Sequence, residues 1–175
     1  MKKTLATVWL DGCSGCHMSF LDMDERVLEL AERFDLVYSP FVDQKVFPDA
    51  VDIALLEGSV SSDADARKIR HVRDHTSILV SLGDCAVTGN VPALRNAFSV
   101  DSILDRAWSL SVGAPPPPIP PLPALLPRVR PVHEFVKVDV FVPGCPPSAG
   151  TIYQLLRDLL DGKIPDLASV TRFGA

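Results

Sequence analysis

Apolar and β-branched runs alternate with stretches of helical spacing along most of the chain. Five such runs predict β-strands, at residues 4–10, 35–41, 53–56, 77–82 and 138–142. Strands that alternate with helices usually pair in parallel through right-handed crossovers. The pattern therefore predicts an α/β fold: a flavodoxin-like open parallel sheet with helices on both faces and strand order 2-1-3-4-5.

Three helices are predicted around these strands. The first lies between strands one and two and has apolar residues at helical spacing, namely Phe20, Met23, Val27, Leu30 and Phe34. The second spans residues 61–74, with Ser62 or Asp63 as its N-cap. The third follows the last strand and ends at Gly162, and its apolar face consists of Ile152, Leu155, Leu156, Leu159 and Leu160.

One segment interrupts the alternation. Residues 113–131 hold nine of the sixteen prolines, which excludes a regular helix or a central strand and predicts an extended polyproline conformation. Two interpretations stay open: a solvent-exposed excursion, or a strap whose apolar side chains lie on a partner subunit. No repeat or second domain is visible, so residues 1–175 are predicted to form one domain.

Charge and hydropathy limit which partners and which cellular compartment the chain is expected to have. The net charge is -5 and no run of Lys or Arg occurs, which argues against nucleic acid or an anionic membrane as the main partner. No apolar run approaches the ~20 residues of a membrane-spanning helix. The apolar start of the chain ends at Asp11-Gly12 without a cleavage site. We therefore expect a cytoplasmic protein, whose thiols stay reduced.

The four cysteines lie in loops marked by Gly or Pro. Cys13 and Cys16 follow the first predicted strand, Cys85 follows the fourth and Cys145 follows the fifth. Because the carboxyl ends of parallel strands meet at one edge of a sheet, we expect all four thiols to converge there. Four soft thiolate ligands are typical of one iron–sulfur or zinc site.

The spacing of the cysteines helps to distinguish a zinc site from an iron–sulfur cluster. Four-cysteine zinc sites usually contain two close pairs, whereas this chain has one pair and two single cysteines. That spacing favours an iron–sulfur cubane, which thiolates from three loops can hold. Three alternatives stay open: a structural zinc module that serves as an assembly scaffold, a redox dithiol at Cys13 and Cys16, and inert buried thiols at Cys85 and Cys145.

Four motifs occur in order along nearly the whole chain: WLDGCSGC at 9–16, LEGS at 56–59, GDCA at 83–86 and VPGCPP at 142–147. Through them the chain resembles the small subunit of a [NiFe] hydrogenase, and is most similar to that of the cytoplasmic NAD-reducing (soluble, bidirectional) type. Periplasmic members carry a twin-arginine signal and ligands for two further clusters, neither of which is found here. The similar subunit of respiratory complex I has two adjacent cysteines where Ser14-Gly15 separates Cys13 from Cys16.

The resemblance implies one proximal [4Fe-4S] cluster held by Cys13, Cys16, Cys85 and Cys145. The chain would relay electrons between the nickel–iron site of a large subunit and an iron–sulfur and flavin module that reduces NAD+. It would have no catalytic residue of its own, since the Ni-Fe centre, further iron–sulfur clusters and FMN would belong to the partner subunits. The alternatives are a complex I-like quinone oxidoreductase subunit and a flavodoxin-like FMN carrier. The second is disfavoured because residues 13–16 occupy the place of a phosphate-binding loop.

Glycines flank the thiols. Gly12, Gly15, Gly83 and Gly144 are predicted to let backbone N–H groups approach sulfur and to favour the more negative, reduced cluster.

Two polar residues are also candidates for the site: Glu57, at a strand end, and His17, next to Cys16. For Glu57 the resemblance suggests a polar contact, a proton-path group or a fifth iron ligand, and the alternative is an exposed or N-capping carboxylate. His17 follows Cys16 and could donate a hydrogen bond to sulfur or to a partner. A plain interface or surface histidine is the favoured interpretation.

Overall fold

The computed structural model describes residues 2–110 and 122–174. Its strands are β1 (Lys3–Trp9), β2 (Phe34–Tyr38), β3 (Val51–Glu57), β4 (Val60–Ser62), β5 (Thr76–Leu82), β6 (Leu125–Arg130) and β7 (Val140–Val142). Its α-helices are α1 (Gly15–Leu21), α2 (Glu25–Ala31), α3 (Asp63–Asp74), α4 (Asp84–Thr88), α5 (Val100–Asp105) and α6 (Ala149–Leu160). Short 3₁₀ helices span Val91–Ala97 and Val132–Glu134.

The predicted sheet is confirmed. Five strands pair in parallel in the order β2-β1-β3-β5-β7, which is the predicted order 2-1-3-4-5 of the main sheet. The ends of the strands differ slightly from the prediction: β2 stops at Tyr38 rather than at residue 41, and β7 begins at Val140 rather than at 138. Element type follows from side-chain alternation, whereas the ends depend on where pairing stops.

Side chains of the sheet alternate between two apolar cores. Ile53 and Leu55 of β3 pack in the core that contains α1, α2 and α6. Ala54 and Leu56, on the opposite face, pack in the core that contains Ile69 of α3. Because successive strand residues point to opposite faces, a strand buried on both faces reads as one continuous apolar run.

Two predicted helices are confirmed with their caps. Ser62 caps α3, since its Oγ accepts from the Asp65 N–H at 3.1 Å while Asp65 Oδ2 accepts from the Ser62 N–H at 2.9 Å. Helix α6 begins after Ser148, whose Oγ accepts from the Thr151 N–H at 3.1 Å. Gly162 follows α6 with φ +74°, the left-handed conformation that glycine tolerates.

The single helix predicted between the first two strands is wrong. The chain forms α1 and α2, separated by a turn in which Asp24 has φ 52°. Aspartate favours turns over helix interiors, and Met23 reaches the core from within the turn. Phe34 belongs to β2 rather than to the helix, although its side chain is buried as the periodicity indicated.

The prediction of a polyproline conformation is wrong for residues 125–130. They form β6, which pairs antiparallel with β4 in a second, two-stranded sheet that the sequence analysis did not predict. Pro127 is tolerated because β6 has a single partner strand and leaves its other edge free of pairing in that sheet.

Residues 111–121, which hold six of the nine prolines of the proline-rich segment, lie outside the described residues. The role of the proline-rich segment, as a strap on a partner or as a solvent-exposed excursion, stays a prediction. The single-domain organisation of the chain also stays a prediction. Across residues 2–110 and 122–174, no helix combines the length and apolar character needed to cross a membrane.

The strands end together at one edge of the main sheet. Trp9, the last residue of β1, pairs with Glu57, the last residue of β3. Glu57 pairs in turn with Leu82 at the end of β5, and Leu82 pairs with Val142 at the end of β7. The loops that follow these four strands therefore begin side by side.

Candidate metal centre

The four cysteines leave the sheet from three of these aligned strand ends. Cys13 lies between β1 and α1, and Cys16 is in the first turn of α1. Cys85 is in α4, directly after β5, and Cys145 follows β7. The charges of Cys13, Cys85 and Cys145 all act on Cys16. The structure thus brings the four predicted thiols into one electrostatic neighbourhood.

Two thiols lie inside the protein and two lie at its surface. Cys16 and Cys85 are buried, whereas Cys13 and Cys145 are exposed. Burial raises the pKa of Cys16 well above its ordinary value, and the Glu57 carboxylate and the other thiolates raise it further. Burial likewise raises the pKa of Cys85 to about 11. Because metals bind thiolates, a cationic metal group is what can hold these inner sulfurs deprotonated near neutral pH.

The donor set suits an iron–sulfur cluster. All four thiols are free of disulfides, and soft thiolates from three loops match a cubane. Among the described residues, no group of three or more His, Cys, Asp or Glu side chains could hold a single metal ion. A cubane is several atoms wide, so its ligands stand farther apart than the four sulfurs around one zinc ion. The arrangement fits the predicted [4Fe-4S] group.

Two of the predicted glycines lie directly against sulfur. Gly83 has φ +83°, and a Cβ atom there would overlap the Cys16 Sγ. A Cβ atom on Gly15 would lie 3.2 Å from the Cys13 Sγ. At both positions the missing side chain leaves space that a thiol occupies.

The other two predicted glycines lie against backbone atoms, Gly12 against the loop after β3 and Gly144 against Pro147 of its own loop. A Cβ atom on Gly12 would lie 3.2 Å from the Cα of Gly58 and 3.8 Å from the Glu57 Oε1. Gly144 has φ +143°, and a Cβ atom there would come within 2.7 Å of the Pro147 Cα. Gly12 lets the loops after β1 and β3 pack closely, and Gly144 allows the loop after β7 to turn tightly onto Pro147.

A buried carboxylate joins two of the cysteine loops. The N–H of Gly144 donates to Asp84 Oδ1 at 2.7 Å, and the N–H of Asp84 donates to the Gly144 carbonyl at 2.9 Å. The N–H of Gly174 donates to Asp84 Oδ2 at 2.7 Å. Asp84 therefore connects the Cys85 loop, the Cys145 loop and the C-terminal segment. No role was predicted for Asp84, although it lies within the GDCA motif.

His17 and Glu57 form a buried pair beside Cys16, which corrects the favoured interpretation of His17 as a surface residue. Their exposed fractions are 4% and 2%. The backbone N–H of His17 donates to Glu57 Oε2 at 3.0 Å, and the His17 Nδ1 contacts the same oxygen. The alternative of an exposed Glu57 is wrong for the same reason. A buried carboxylate needs such partners because desolvation without them is costly.

The pair continues into a chain of hydrogen bonds. His17 Nε2 lies 3.0 Å from the Thr7 Oγ1, which lies 2.7 Å from the Ser39 Oγ. Thr7 and Ser39 are also buried. Polar side chains on β1, α1, β3 and the end of β2 thus satisfy one another beneath the cysteines. No periodic pattern in the sequence indicated this network.

Two donors to sulfur were not predicted. Asn90 Nδ2 donates to the Cys145 Sγ at 3.4 Å. The backbone N–H of Val91 lowers the pKa of the Cys85 thiol and so opposes the effect of burial. The Gly89-Asn90 dipeptide signals a turn, but nothing in the sequence indicates where the Asn90 side chain points.

Comparison with known proteins agrees with this geometry. Residues 13–159 match the family model of the NADH ubiquinone oxidoreductase 20 Kd subunit. The chain is 42% identical to the delta subunit of the NAD-reducing hydrogenase HoxS of Cupriavidus necator, over 98% of this chain and 86% of that subunit. A crystal structure of NAD+-reducing [NiFe]-hydrogenase in the H2-reduced state superposes with a TM-score of 0.93 and 41% identity, over 99% of both chains.

Another relative is longer than this chain. It belongs to the vhu F420-non-reducing hydrogenase of Methanocaldococcus jannaschii and is 34% identical over 91% of this chain and 57% of its own length. The chain therefore spans little more than half of that relative.

Proposed function

The chain belongs to the family of the NADH ubiquinone oxidoreductase 20 Kd subunit, and on this premise we propose that it is the electron-transferring small subunit of an NAD-reducing [NiFe] hydrogenase. The proposed ligands of its one [4Fe-4S] cluster are Cys13, Cys16, Cys85 and Cys145. When bound, the cluster supplies one-electron transfer. The hydrogenase is an oxidoreductase whose H2-splitting centre lies in another subunit.

The observation that carries the proposal is the alignment of the strand ends. The last residues of β1, β3, β5 and β7 pair with one another, and the loops after β1, β5 and β7 contribute the thiols. Those thiols act on one another electrostatically although they come from separate loops. A parallel sheet that ends in this way is a suitable cradle for a group several atoms wide.

The protein divides the site into an inner and an outer side. Cys16 and Cys85 are buried, so the inner side excludes water. Cys13 and Cys145 are exposed, and Met18 of α1, which follows Cys13 closely in sequence, keeps 53% of its surface accessible. An exposed flank with apolar side chains suits contact with another subunit, through which electrons would enter or leave.

The remaining cofactors are proposed for the partners. Electrons would pass between the nickel–iron centre of a large subunit and an iron–sulfur and flavin module, containing FMN, that reduces NAD+. The cytoplasm is the proposed location, because the four free thiols suit a reducing compartment.

Metal analysis tests the proposed cofactor. The full chain, purified without oxygen, should contain about four iron and four sulfide per molecule and give the EPR signal of a cubane after reduction. Cys16→Ser should lose iron and sulfide. Ser14→Gly is the matched control, because Ser14 has φ 67° and its side chain makes no capping hydrogen bond. Zinc in place of iron, or equal iron in the two variants, would contradict the proposal.

Co-purification tests the proposed partners. Tagged chain from its native cell should retain a nickel-containing subunit and a flavin-bearing module that reacts with NADH. A quinone-linked membrane partner without nickel would overturn this part of the proposal. If that preparation still contained a [4Fe-4S] cluster, the proposed set of four cysteine ligands would remain supported.

A further inference from the structure

We propose that Asn90 raises the reduction potential of the cluster by donating its side-chain amide to the Cys145 sulfur. The inference rests on the proposed function, because it requires a cluster at the four thiols. It concerns a residue outside the four motifs that carry the family resemblance.

The backbone at Asn90 is strained. Gly89 has φ 89°, and Asn90 has φ 29° with ψ -124°. Two successive positive φ angles reverse the chain between α4 and the 3₁₀ helix Val91–Ala97. Residues held in sparsely populated backbone conformations are costly and persist where the surroundings impose them.

The turn aims two donors at two different thiols. The Asn90 side chain reaches Cys145 at 3.4 Å, and the backbone N–H of the next residue, Val91, acts on Cys85, whose pKa it lowers. The first thiol is exposed and the second is buried. One strained turn therefore contacts the outer and the inner side of the site at once.

The 3₁₀ helix after the turn is firmly anchored. Arg95 donates to the carbonyls of Ser61 and Leu126 at 2.9 and 3.0 Å. Asn96 accepts from the Val129 N–H at 2.7 Å and donates to the Val129 carbonyl at 2.9 Å. These bonds attach the helix to β4 and β6, and the two bonds of Arg95 reach both strands without Asn96.

Asparagine combines the two properties that the position requires. It tolerates positive φ better than other residues with side chains, and its amide carries N–H donors. Glycine would accept the backbone but has no donor. Aspartate would accept the backbone, but an ionised carboxylate only accepts hydrogen bonds and adds negative charge.

The expected effect follows from charge. Reduction adds one electron to the cluster, and no bond forms or breaks. The added negative charge spreads onto the thiolate sulfurs, so an N–H···S hydrogen bond strengthens and favours the reduced state. Because the Asn90 amide does not titrate, its contribution should be independent of pH.

The experiment is a redox titration of the full chain carrying its cluster, followed by EPR. At a fixed ambient potential, Asn90→Gly should lower the reduced-to-oxidised ratio about twofold to tenfold, the range of one net hydrogen bond. A tenfold change equals about 59 mV for a one-electron couple. Asn90→Asp should lower the ratio further, because it replaces a donor with a negative charge.

Asn96→Ala is the matched control. It removes hydrogen bonds of an asparagine in the same 3₁₀ helix, so it should lower the resistance of the chain to urea without changing the reduced-to-oxidised ratio. Asn90→Gly should keep the fold, because glycine adopts the turn without strain.

The outcomes distinguish failure of the inference about Asn90 from failure of the proposed function. An unchanged ratio in Asn90→Gly, with normal iron content, would overturn this inference and leave the proposed function intact. The same shift in Asn96→Ala would also overturn it, since the effect would then come from loss of stability. Wild-type chain without an iron–sulfur EPR signal would overturn the proposed function and this inference together.

Discussion

The Glu57 carboxylate contacts His17 twice, through the backbone N–H at 3.0 Å and through the ring Nδ1, although the residues are 40 positions apart. Both side chains are buried. The pair joins the end of β3 to the first turn of α1, the helix that carries Cys16. It also places a negative charge that raises the pKa of the Cys16 thiol.

Loss of this carboxylate should destabilise the chain. Glu57→Ala leaves two buried donors of His17 without a partner, and we expect the free energy of unfolding to fall by about 2–5 kcal/mol. Glu57→Gln keeps an accepting oxygen and should cost less. Urea denaturation measures both variants. Glu29→Ala, which removes an exposed partner of Tyr153, is the control and should have a much smaller effect. Equal effects of Glu57→Ala and Glu29→Ala would contradict the prediction.

Two glycines with similar φ angles should respond differently to alanine. Gly83→Ala places a Cβ atom onto the Cys16 Sγ, so we expect the variant to lose most of its iron. Gly162 has φ +74° with open space around it, and Gly162→Ala should cost only about 1–2 kcal/mol of backbone strain. Iron analysis and urea denaturation check the two effects. Full iron content in Gly83→Ala would show that the thiol can move aside.

The metal-free chain should lose stability in alkaline solution. The ordinary pKa of 9.0 applies to the Cys85 thiol in the unfolded chain, and burial raises it to about 11 in the folded chain. Between these values the unfolded chain releases a proton that the folded chain retains, so the free energy of unfolding should fall as pH rises. The Cys16 thiol should also make the free energy of unfolding fall as pH rises, because its pKa is raised in the folded chain as well.

Thiol variants separate the contributions to this pH dependence. Cys85→Ala should flatten the dependence between pH 9 and 11. Cys145→Ala removes an exposed thiol whose charge raises the Cys85 pKa less than burial does, so it should change the dependence less than Cys85→Ala. Urea denaturation across this range makes the comparison. A decline in Cys85→Ala as steep as in the wild-type chain would contradict the prediction and assign the dependence to other groups.

Replacing Asp84 should loosen two distant segments together. Asp84→Asn substitutes an N–H₂ group for one of the oxygens that accept from Gly144 and Gly174, at a cost of about 1–3 kcal/mol. Hydrogen exchange should then accelerate at one or both of these amides. Asp166→Asn, which alters only a local contact with Ala168, is the control. Unchanged exchange at Gly144 and Gly174 would contradict a joining role for Asp84.

Some elements could be predicted because their cause is local. The leucines of α6 recur at helical spacing and Gly162 follows them, so both the helix and its end were predicted correctly. The break between α1 and α2 was missed because Phe20 and Met23 keep the spacing of a helix across the turn. Strand β6 was missed because Pro127 argues against a strand unless the strand lies at an edge.

The sequence by itself determined the alternation of strands and helices, the strand order and the emergence of the four cysteines at one sheet edge. The alternation follows from the local period of apolar side chains, and the order and the shared edge follow from the flavodoxin-like arrangement of right-handed parallel crossovers. Only the tertiary structure decided that His17 is buried on Glu57, that Asp84 joins two loops and that Asn90 reaches Cys145. Those contacts depend on the paths of loops 40 to 60 residues apart, which no local pattern specifies.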